Sequence, residues 1–140
     1  MQARCVTLAT GVLLLGAATA VAARDYCFVD NLGLPPLVVR NFSLPVAGQC
    51  KGFTGSFQDG AFGASGLSCG SWDVDNVGFK AYIEAPIDGE VVSYSFFVNR
   101  QTMTGEGAIY CVPAECGAVF GIPLGSQSFS IHEVACPPPH

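Results

Sequence analysis

The stretch Gly78-Phe-Lys-Ala-Tyr-Ile-Glu-Ala85, followed by Asp88-Gly89 and Glu90-Val-Val-Ser-Tyr-Ser-Phe-Phe-Val-Asn99, decides the fold class. Every second residue from Val92 to Val98 is apolar, and Phe79, Ala81 and Ile83 alternate in the same way. A period of two indicates strands with one face on a core. Asp-Gly favours a type I′ turn, because both central residues of that turn need positive φ. We therefore predict an antiparallel hairpin over residues 78–99.

Further strands are predicted on both sides of this hairpin. Glycine and proline recur every few residues, and no stretch combines strong helix formers with a 3.6-residue period. Short strands separated by glycine-containing turns indicate an all-β fold, either a single antiparallel β-sandwich or a small meander barrel. The predicted strands are 37–44, 49–58, 108–112 and 126–134, with turns at Pro45–Gly48 and Asp59-Gly60, and glycines 52, 55, 63, 66, 105 and 107 are candidates for bends or bulges.

The segment Gly52-Phe-Thr-Gly-Ser-Phe57 resembles the strands of small meander barrels of the avidin and lipocalin kind. The resemblance covers six residues and implies only a meander barrel. Avidin-type sites use several tryptophans, whereas Trp72 is the single tryptophan of this chain. We therefore transfer no site residue from these proteins and assign no family.

Residues 1–23 have the features of a cleavable signal peptide. Arg4 supplies a positive charge near the start, no charged residue occurs from Val6 to Ala23, and small residues occupy positions 20, 22 and 23. We predict a single exported domain over residues 24–140, secreted or periplasmic. No second long apolar run follows, so no membrane association is expected after cleavage.

The cysteines that remain after the leader indicate disulfide bonds. Their number is even and their spacing wide, which is typical of an oxidising compartment, and the closely spaced ligand pairs of zinc sites and the Cys-x-x-Cys of redox enzymes are absent. Sequence alone leaves the pairing open, and our preferred scheme has three bonds. It joins Cys27 to Cys136, Cys50 to Cys69, and Cys111 to Cys116.

Charge and composition exclude some functions. The chain carries six basic and eleven acidic residues, scattered singly, so it has no basic stripe that would indicate a nucleic-acid partner. We predict no cofactor. The chain has no Gly-x-Ser-x-Gly elbow that would present a nucleophilic serine. Neighbours such as His132 and Glu133 point to opposite faces of a strand, so we predict no catalytic residues and no enzyme activity.

The sequence also contains part of a calcium-binding pattern, but we predict no metal site. Acidic residues at Asp73, Asp75 and Glu84, with Gly78, match part of the spacing of a calcium-binding loop. Val77 occupies a ligand position, however, and no helix is predicted on either side. An Asp/Asn-rich turn that leads into a strand explains the same residues.

Aromatic residues supply the candidate ligand-binding positions. Most lie at alternating strand positions and are predicted to form the core, whereas Trp72, Tyr82 and Phe97 are candidates for exposed contacts. The first hypothesis is a non-catalytic secreted binding module that acts through its loops or through an aromatic-bearing sheet face. Its partner would be an extracellular protein, a glycan or a small apolar ligand.

The sequence is also compatible with two other functions. A barrel with an internal cavity would carry a small apolar ligand. A rigid loop at Val112-Pro-Ala-Glu-Cys116 would suit a small protease inhibitor. In addition, Asn41-Phe-Ser43 matches the acceptor pattern for N-linked glycosylation, which carries meaning in a eukaryotic secretory pathway.

Overall fold

Eight antiparallel strands form a closed barrel in which each strand pairs with its neighbours in sequence and the first pairs with the last. The structure is a computed structural model that describes residues 22–57, 62–84, 91–112 and 126–138, without the side chains at 84, 91, 111 and 112. This part of the chain contains no helix long and apolar enough to cross a membrane. The strands are β1 (Arg24–Asp30), β2 (Leu37–Phe42), β3 (Cys50–Phe57), β4 (Phe62–Gly70), β5 (Asn76–Glu84), β6 (Val91–Asn99), β7 (Thr104–Val112) and β8 (Ser126–Val134).

The all-β fold is confirmed, and the barrel form is the one adopted. A sandwich would leave strand edges unpaired, whereas here β1 and β8 pair from Cys27–Val134 to Asp30–Ile131. The predicted hairpin corresponds to β5 and β6, which pair along their whole length from Asn76–Asn99 to Glu84–Val91. Its Asp88-Gly89 turn and the turn at Asp59-Gly60 lie outside the described residues.

Strand β1 was not predicted from the sequence. Tyr26 and Phe28 point into the barrel, but Cys27 between them is as apolar as they are, so the alternation is hidden. Asp30 ends the strand. Its Oδ1 atom accepts hydrogen bonds from the backbone N–H groups of Leu32 (2.8 Å) and Leu34 (3.4 Å), which turns the chain toward β2.

Aromatic rings fill the part of the barrel interior that the described residues line. Phe79 on β5 lies at its centre, with ring centroids 5.0 Å from Phe96 and 5.5 Å from Phe28. A second group forms around Tyr94, whose ring stacks on Phe129 at 4.7 Å and meets Phe57 edge-on at 5.2 Å. Such ring pairs add to the free energy of burial itself.

Two of the glycines predicted as bends permit close contact between strands. A Cβ atom at Gly66 would overlap the carbonyl oxygen of Lys80 on β5, and one at Gly105 would overlap the carbonyl oxygen of Phe97 on β6. Only glycine allows the backbones of β4 and β7 to approach their partners this closely. The two residues therefore permit the close approach of β4 to β5 and of β7 to β6.

Two disulfide bonds of the preferred scheme are confirmed. Cys27 joins Cys136, so that β1 is tied to the segment after β8, and Cys50 joins Cys69 across the β3–β4 pair. Disulfide bonds are typical of proteins in an oxidising, extracellular type of compartment. The bond predicted between Cys111 and Cys116 lies outside the described side chains.

Candidate functional site

Exposed apolar side chains gather on the outside of the barrel wall formed by β4 to β7. Leu67 is 55% exposed, Tyr82 50%, Phe97 45% and Tyr110 49%. All four alternate with core residues, so they point away from the barrel interior. We call the outward side of β4–β7 that carries these residues the aromatic face.

The strand register fixes the arrangement of side chains on this face. Cross-strand pairs place outward residues of β5, β6 and β7 in rows, because residues directly opposite one another share a face. The rows are Tyr82–Ser93–Tyr110, Lys80–Ser95–Ala108 and Gly78–Phe97–Glu106, and Leu67 on β4 extends the middle row beyond Lys80.

Tyr82 and Tyr110 lie on either side of Ser93, one strand away from it in each direction. With strands about 4.8 Å apart, their backbones are separated by about 10 Å. Ser93 is small, so the space between the two phenol rings is open at the level of the sheet. The ammonium group of Lys80 lies 6.0 Å from the centre of the Tyr82 ring, where its charge is attracted to the face of the ring.

A shallow depression of about 410 Å³ occupies the lower rows of the same face. Its outward-facing walls are Ser95, Phe97, Glu106 and Ala108. Glu106 also borders a second depression, of about 350 Å³, which runs toward β8 and is lined by polar groups including Ser128 and Ser130. The face thus combines apolar ring surfaces with hydroxyl groups, and its three rows carry one positive and one negative side chain.

The opposite wall of the barrel, formed by β1 and β2, differs because its outward apolar side chains are buried; we call it the covered wall. Cys27 and Val38 form an outward cross-strand pair of β1 and β2, yet they are 0% and 7% exposed. The segment after β8 is held against this wall by the Cys27–Cys136 bond. A further hydrogen bond runs from Nη2 of Arg40 to the carbonyl oxygen of Pro137, at 3.1 Å. We attribute the burial of the outward pair to this C-terminal segment.

Trp72 lies on the loop between β4 and β5, not on the aromatic face. It is 80% exposed, and its ring lies against Gly48, whose φ of 75° and missing side chain make room for it. The neighbouring loop is held by Arg100. Its guanidinium contacts the Asp75 carboxylate at 3.3 Å and donates to the carbonyl oxygen of Pro45. Arg100 thus links the loop that contains Trp72 and Asp75 to the segment at Pro45, and the Trp72 indole is exposed beside these contacts.

Of the acidic residues in the partial calcium pattern, Asp75 has other partners in this structure. Asp75 accepts from Gln101 Nε2 at 3.3 Å in addition to its contact with Arg100. No cluster of three or more His, Cys, Asp or Glu side chains suited to a metal ion occurs within the described ranges. The side chain of Glu84 is outside those ranges.

His132 and Glu133 are separated as the strand geometry requires. His132 is exposed on the outside of β8. Glu133 receives two hydrogen bonds from the guanidinium of Arg24, at 2.6 and 3.2 Å, so its carboxylate serves to join β8 to β1. This pair offers no assembled acid–base site.

A hydrogen bond between side chains links Tyr94, in the barrel interior, to Asp30 at the end of β1. The hydroxyl of Tyr94 donates to Oδ2 of Asp30 at 2.7 Å, while the other oxygen of Asp30 holds the loop after β1. Burial and this hydrogen bond raise the pKa of Tyr94 far above its ordinary value, so the phenol is neutral. Both Asp30 oxygens are engaged, which gives this contact a structural role.

The structure thus brings two of the three sequence-predicted residues, Tyr82 and Phe97, to one surface and places Trp72 elsewhere. Leu67 and Tyr110 belong to that surface and were missed. Alternation would have identified Tyr110, because it lies next to the buried Ile109 on β7. Leu67 stands between glycine and serine in a stretch with no clear periodicity, so its exposure could not be read from the chain alone.

Comparisons with family models, with curated proteins and with solved structures yield no match to this chain.

Proposed function

We propose that the protein is a non-catalytic, exported binding module whose ligand lies across the aromatic face. The observation that carries the proposal is the grouping of Leu67, Tyr82, Phe97 and Tyr110, about half exposed, on one wall. Exposed apolar side chains that are grouped on one surface commonly mark an interaction site. Rigid strands hold these side chains, which keeps the entropy lost on binding low.

The covered wall strengthens this argument. On β1 and β2, the outward side chains of Cys27 and Val38 are buried. The Cys27–Cys136 disulfide bond holds the C-terminal segment next to them. On β5–β7, larger apolar groups remain in contact with water. The exposure of Tyr82, Phe97 and Tyr110 is therefore not a general property of this barrel.

The chemistry of the face favours a neutral ligand with many hydroxyl groups, and we propose a polysaccharide. Aromatic rings stack on the apolar C–H faces of sugar rings, and serine hydroxyls, Lys80 and Glu106 can exchange hydrogen bonds with sugar hydroxyls. A polyanion or polycation would need charges of one sign, whereas the three rows carry one of each.

The spacing of the tyrosines favours an extended β-linked chain over a compact sugar. In such chains every second ring presents the same face, an interval similar to the roughly 10 Å between the backbones that carry Tyr82 and Tyr110. Ser93 between them leaves room for the intervening ring. The ligand class proposed is a β-1,4-linked neutral glycan.

The two alternative functions have less support. A carrier of an apolar ligand needs an empty interior, but closely packed rings of Phe79, Phe96, Tyr94 and Phe129 occupy the interior that the described residues line. The loop proposed for protease inhibition is Val112–Cys116, and its residues 113–116 lie outside the described residues.

Affinity electrophoresis tests the proposal. The oxidised domain, residues 24–140, is run through gels that contain a soluble β-1,4-glucan, a chitin derivative, an α-glucan or no polymer. We expect a β-1,4-linked polymer to slow the wild-type domain, and Tyr82→Ser/Tyr110→Ser to remove at least nine-tenths of that retardation, because stacking is lost at both rings. Trp72→Ser is the matched aromatic control and should leave the retardation unchanged.

Two outcomes would overturn the proposal. If no polymer retards the wild type, the glycan assignment is wrong. If a polymer retards the wild type and the double tyrosine variant equally, the binding site is not on the aromatic face. Loss of retardation in Trp72→Ser, or in a variant of a residue in the barrel interior, would place the site elsewhere on the barrel.

A further inference from the structure

Asn41 combines an acceptor sequence with an unusual position in the fold. Asn41-Phe42-Ser43 is the only Asn-x-Ser/Thr triplet of the chain, since the asparagines at 31, 76 and 99 are followed two residues later by glycine or glutamine. Asn41 is exposed, whereas Phe42 is 7% exposed and belongs to the core. The two confirmed disulfide bonds indicate the oxidising type of compartment in which such triplets are modified.

The backbone at Asn41 explains why an asparagine is tolerated within a strand. Its φ is 49°, in the left-handed region that asparagine adopts more readily than most residues. The register of β1 and β2 shifts at this point, between Arg24 and Tyr26. Such a bulge turns the Asn41 side chain outward. The Asn41 N–H donates to Oδ1 of Asp25 at 2.9 Å, so the backbone is held in place. The side chain of Asn41 remains exposed.

We propose that Asn41 is a site of N-linked glycosylation. The donor is an oligosaccharide linked to a lipid diphosphate. A bond forms between Nδ2 of Asn41 and C1 of the first sugar, and the bond from C1 to the diphosphate oxygen breaks. The lipid diphosphate leaves with the electron pair, and the amide nitrogen loses one proton. No oxidant or reductant is consumed.

The folded structure is compatible with this modification, and it also places a constraint on the timing. The Ser43 hydroxyl accepts a hydrogen bond from Lys51 Nζ at 3.0 Å, so the hydroxyl of the acceptor triplet is engaged once β3 is in place. We therefore expect transfer to occur before β3 pairs with β2, while this hydroxyl has no such partner. After folding, the glycan projects from β2, which is two strands from β4 and four strands from β6 around the closed barrel.

The test is the secretion of the full chain from cultured eukaryotic cells, followed by intact-mass analysis before and after peptide N-glycosidase. We expect one enzyme-sensitive glycan on the wild type, with conversion of Asn41 to aspartate after its removal. Ser43→Ala should abolish the glycan, and Ser43→Thr, which keeps the hydroxyl, should retain it. Asn41→Gly should also be unmodified and still fold, because glycine accepts the positive φ.

The proposal is overturned if the secreted, disulfide-bonded wild type has the mass of the unmodified polypeptide. It is also overturned if the glycan persists in Ser43→Ala. Either result is independent of the binding function proposed for the aromatic face, because Asn41 on β2 is not part of that face.

Discussion

The two walls of this barrel treat outward apolar side chains in opposite ways. On β1 and β2, Cys27 and Val38 point outward but are buried beside the C-terminal segment. On β4–β7, Leu67 and Tyr82 point outward and are 55% and 50% exposed. Among the described residues, outward apolar side chains are therefore buried on the β1–β2 wall and exposed on the β4–β7 wall.

Under the proposed function, this difference separates residues that stabilise the fold from residues that bind the ligand. Covering Cys27 and Val38 removes apolar area from water, and it contributes to the free energy of unfolding. Leaving Leu67, Tyr82 and Tyr110 uncovered gives up that contribution. The residues on the covered wall should therefore be sensitive to substitution in stability measurements, and those on the aromatic face should be sensitive only in binding measurements.

The largest expected difference lies within one strand. Phe79→Ala removes a ring that contacts Phe28, Phe42, Phe53 and Phe96. It should lower the free energy of unfolding by about 3–5 kcal/mol. Tyr82→Ala, three residues along on the outward side, should change it by no more than about 0.5 kcal/mol. Urea unfolding followed by circular dichroism measures both, and equal losses would show that the two faces are wrongly assigned.

The next effect compares the two disulfide bonds. Replacing Cys27 and Cys136 by alanine opens a loop with a sequence separation of 109, whereas Cys50 and Cys69 are separated by 19. The entropy of the unfolded chain then predicts losses of about 4.7 and 3 kcal/mol, respectively. The first loss should be the larger, because it also frees the segment that covers β1 and β2. A larger loss for Cys50→Ala/Cys69→Ala would contradict this account of the covered wall.

A smaller difference is expected between two outward aliphatic residues. Val38→Ala removes buried methyl groups and should lower the free energy of unfolding by about 1–2 kcal/mol. Leu67→Ala deletes a larger but exposed group and should change it by less than about 0.5 kcal/mol. Thermal unfolding of both variants provides the measurement. If Leu67→Ala were the more damaging, Leu67 would have to contribute to packing that its exposure does not reveal.

The smallest effect is a pH dependence at the covered wall. The N–H of Asn41 and the guanidinium of Arg40 donate to Asp25, and both interactions lower the pKa of this carboxyl below its ordinary 3.8. Because the folded state favours the charged form, this stabilisation is fully present above pH 3.8. It is lost as the pH falls through the lower pKa of the folded state. Asp25→Asn should show a smaller loss of stability between pH 6 and pH 2 than the wild type, and an identical loss would rule out this contribution.

Much of this architecture could be predicted from the chain, and the omissions have physical causes. Strict alternation in β5 and β6 predicted their hairpin, because apolar and polar residues separate cleanly there. Strand β1 was missed because Cys27 is apolar on the outward side, and the C-terminal segment that covers it is distant in sequence. The same kind of long-range information decides between barrel and sandwich, since only the pairing of β1 with β8 closes the sheet.

The candidate site was predictable only in part. Tyr82 and Phe97 stood out because each is an aromatic residue on the polar side of its strand. That they share a surface with Tyr110 and Leu67 depends on the registers of β4, β5, β6 and β7, which sequence patterns do not specify between strands joined by loops of unequal length. Trp72 was the third candidate for an exposed contact; it is exposed, but it lies on the loop between β4 and β5 and outside the proposed site.

The most direct test of the account is a heteronuclear NMR titration of the oxidised domain with a soluble β-1,4-linked oligosaccharide. We predict that changes in amide chemical shift concentrate at Tyr82, Ser93, Ser95 and Tyr110. The amide shifts of Cys27 and Val38 on the covered wall should stay unchanged. Shifts confined to interior residues such as Phe79 and Phe129, to the covered wall or to the loop of Trp72 would contradict it, as would the absence of any shift.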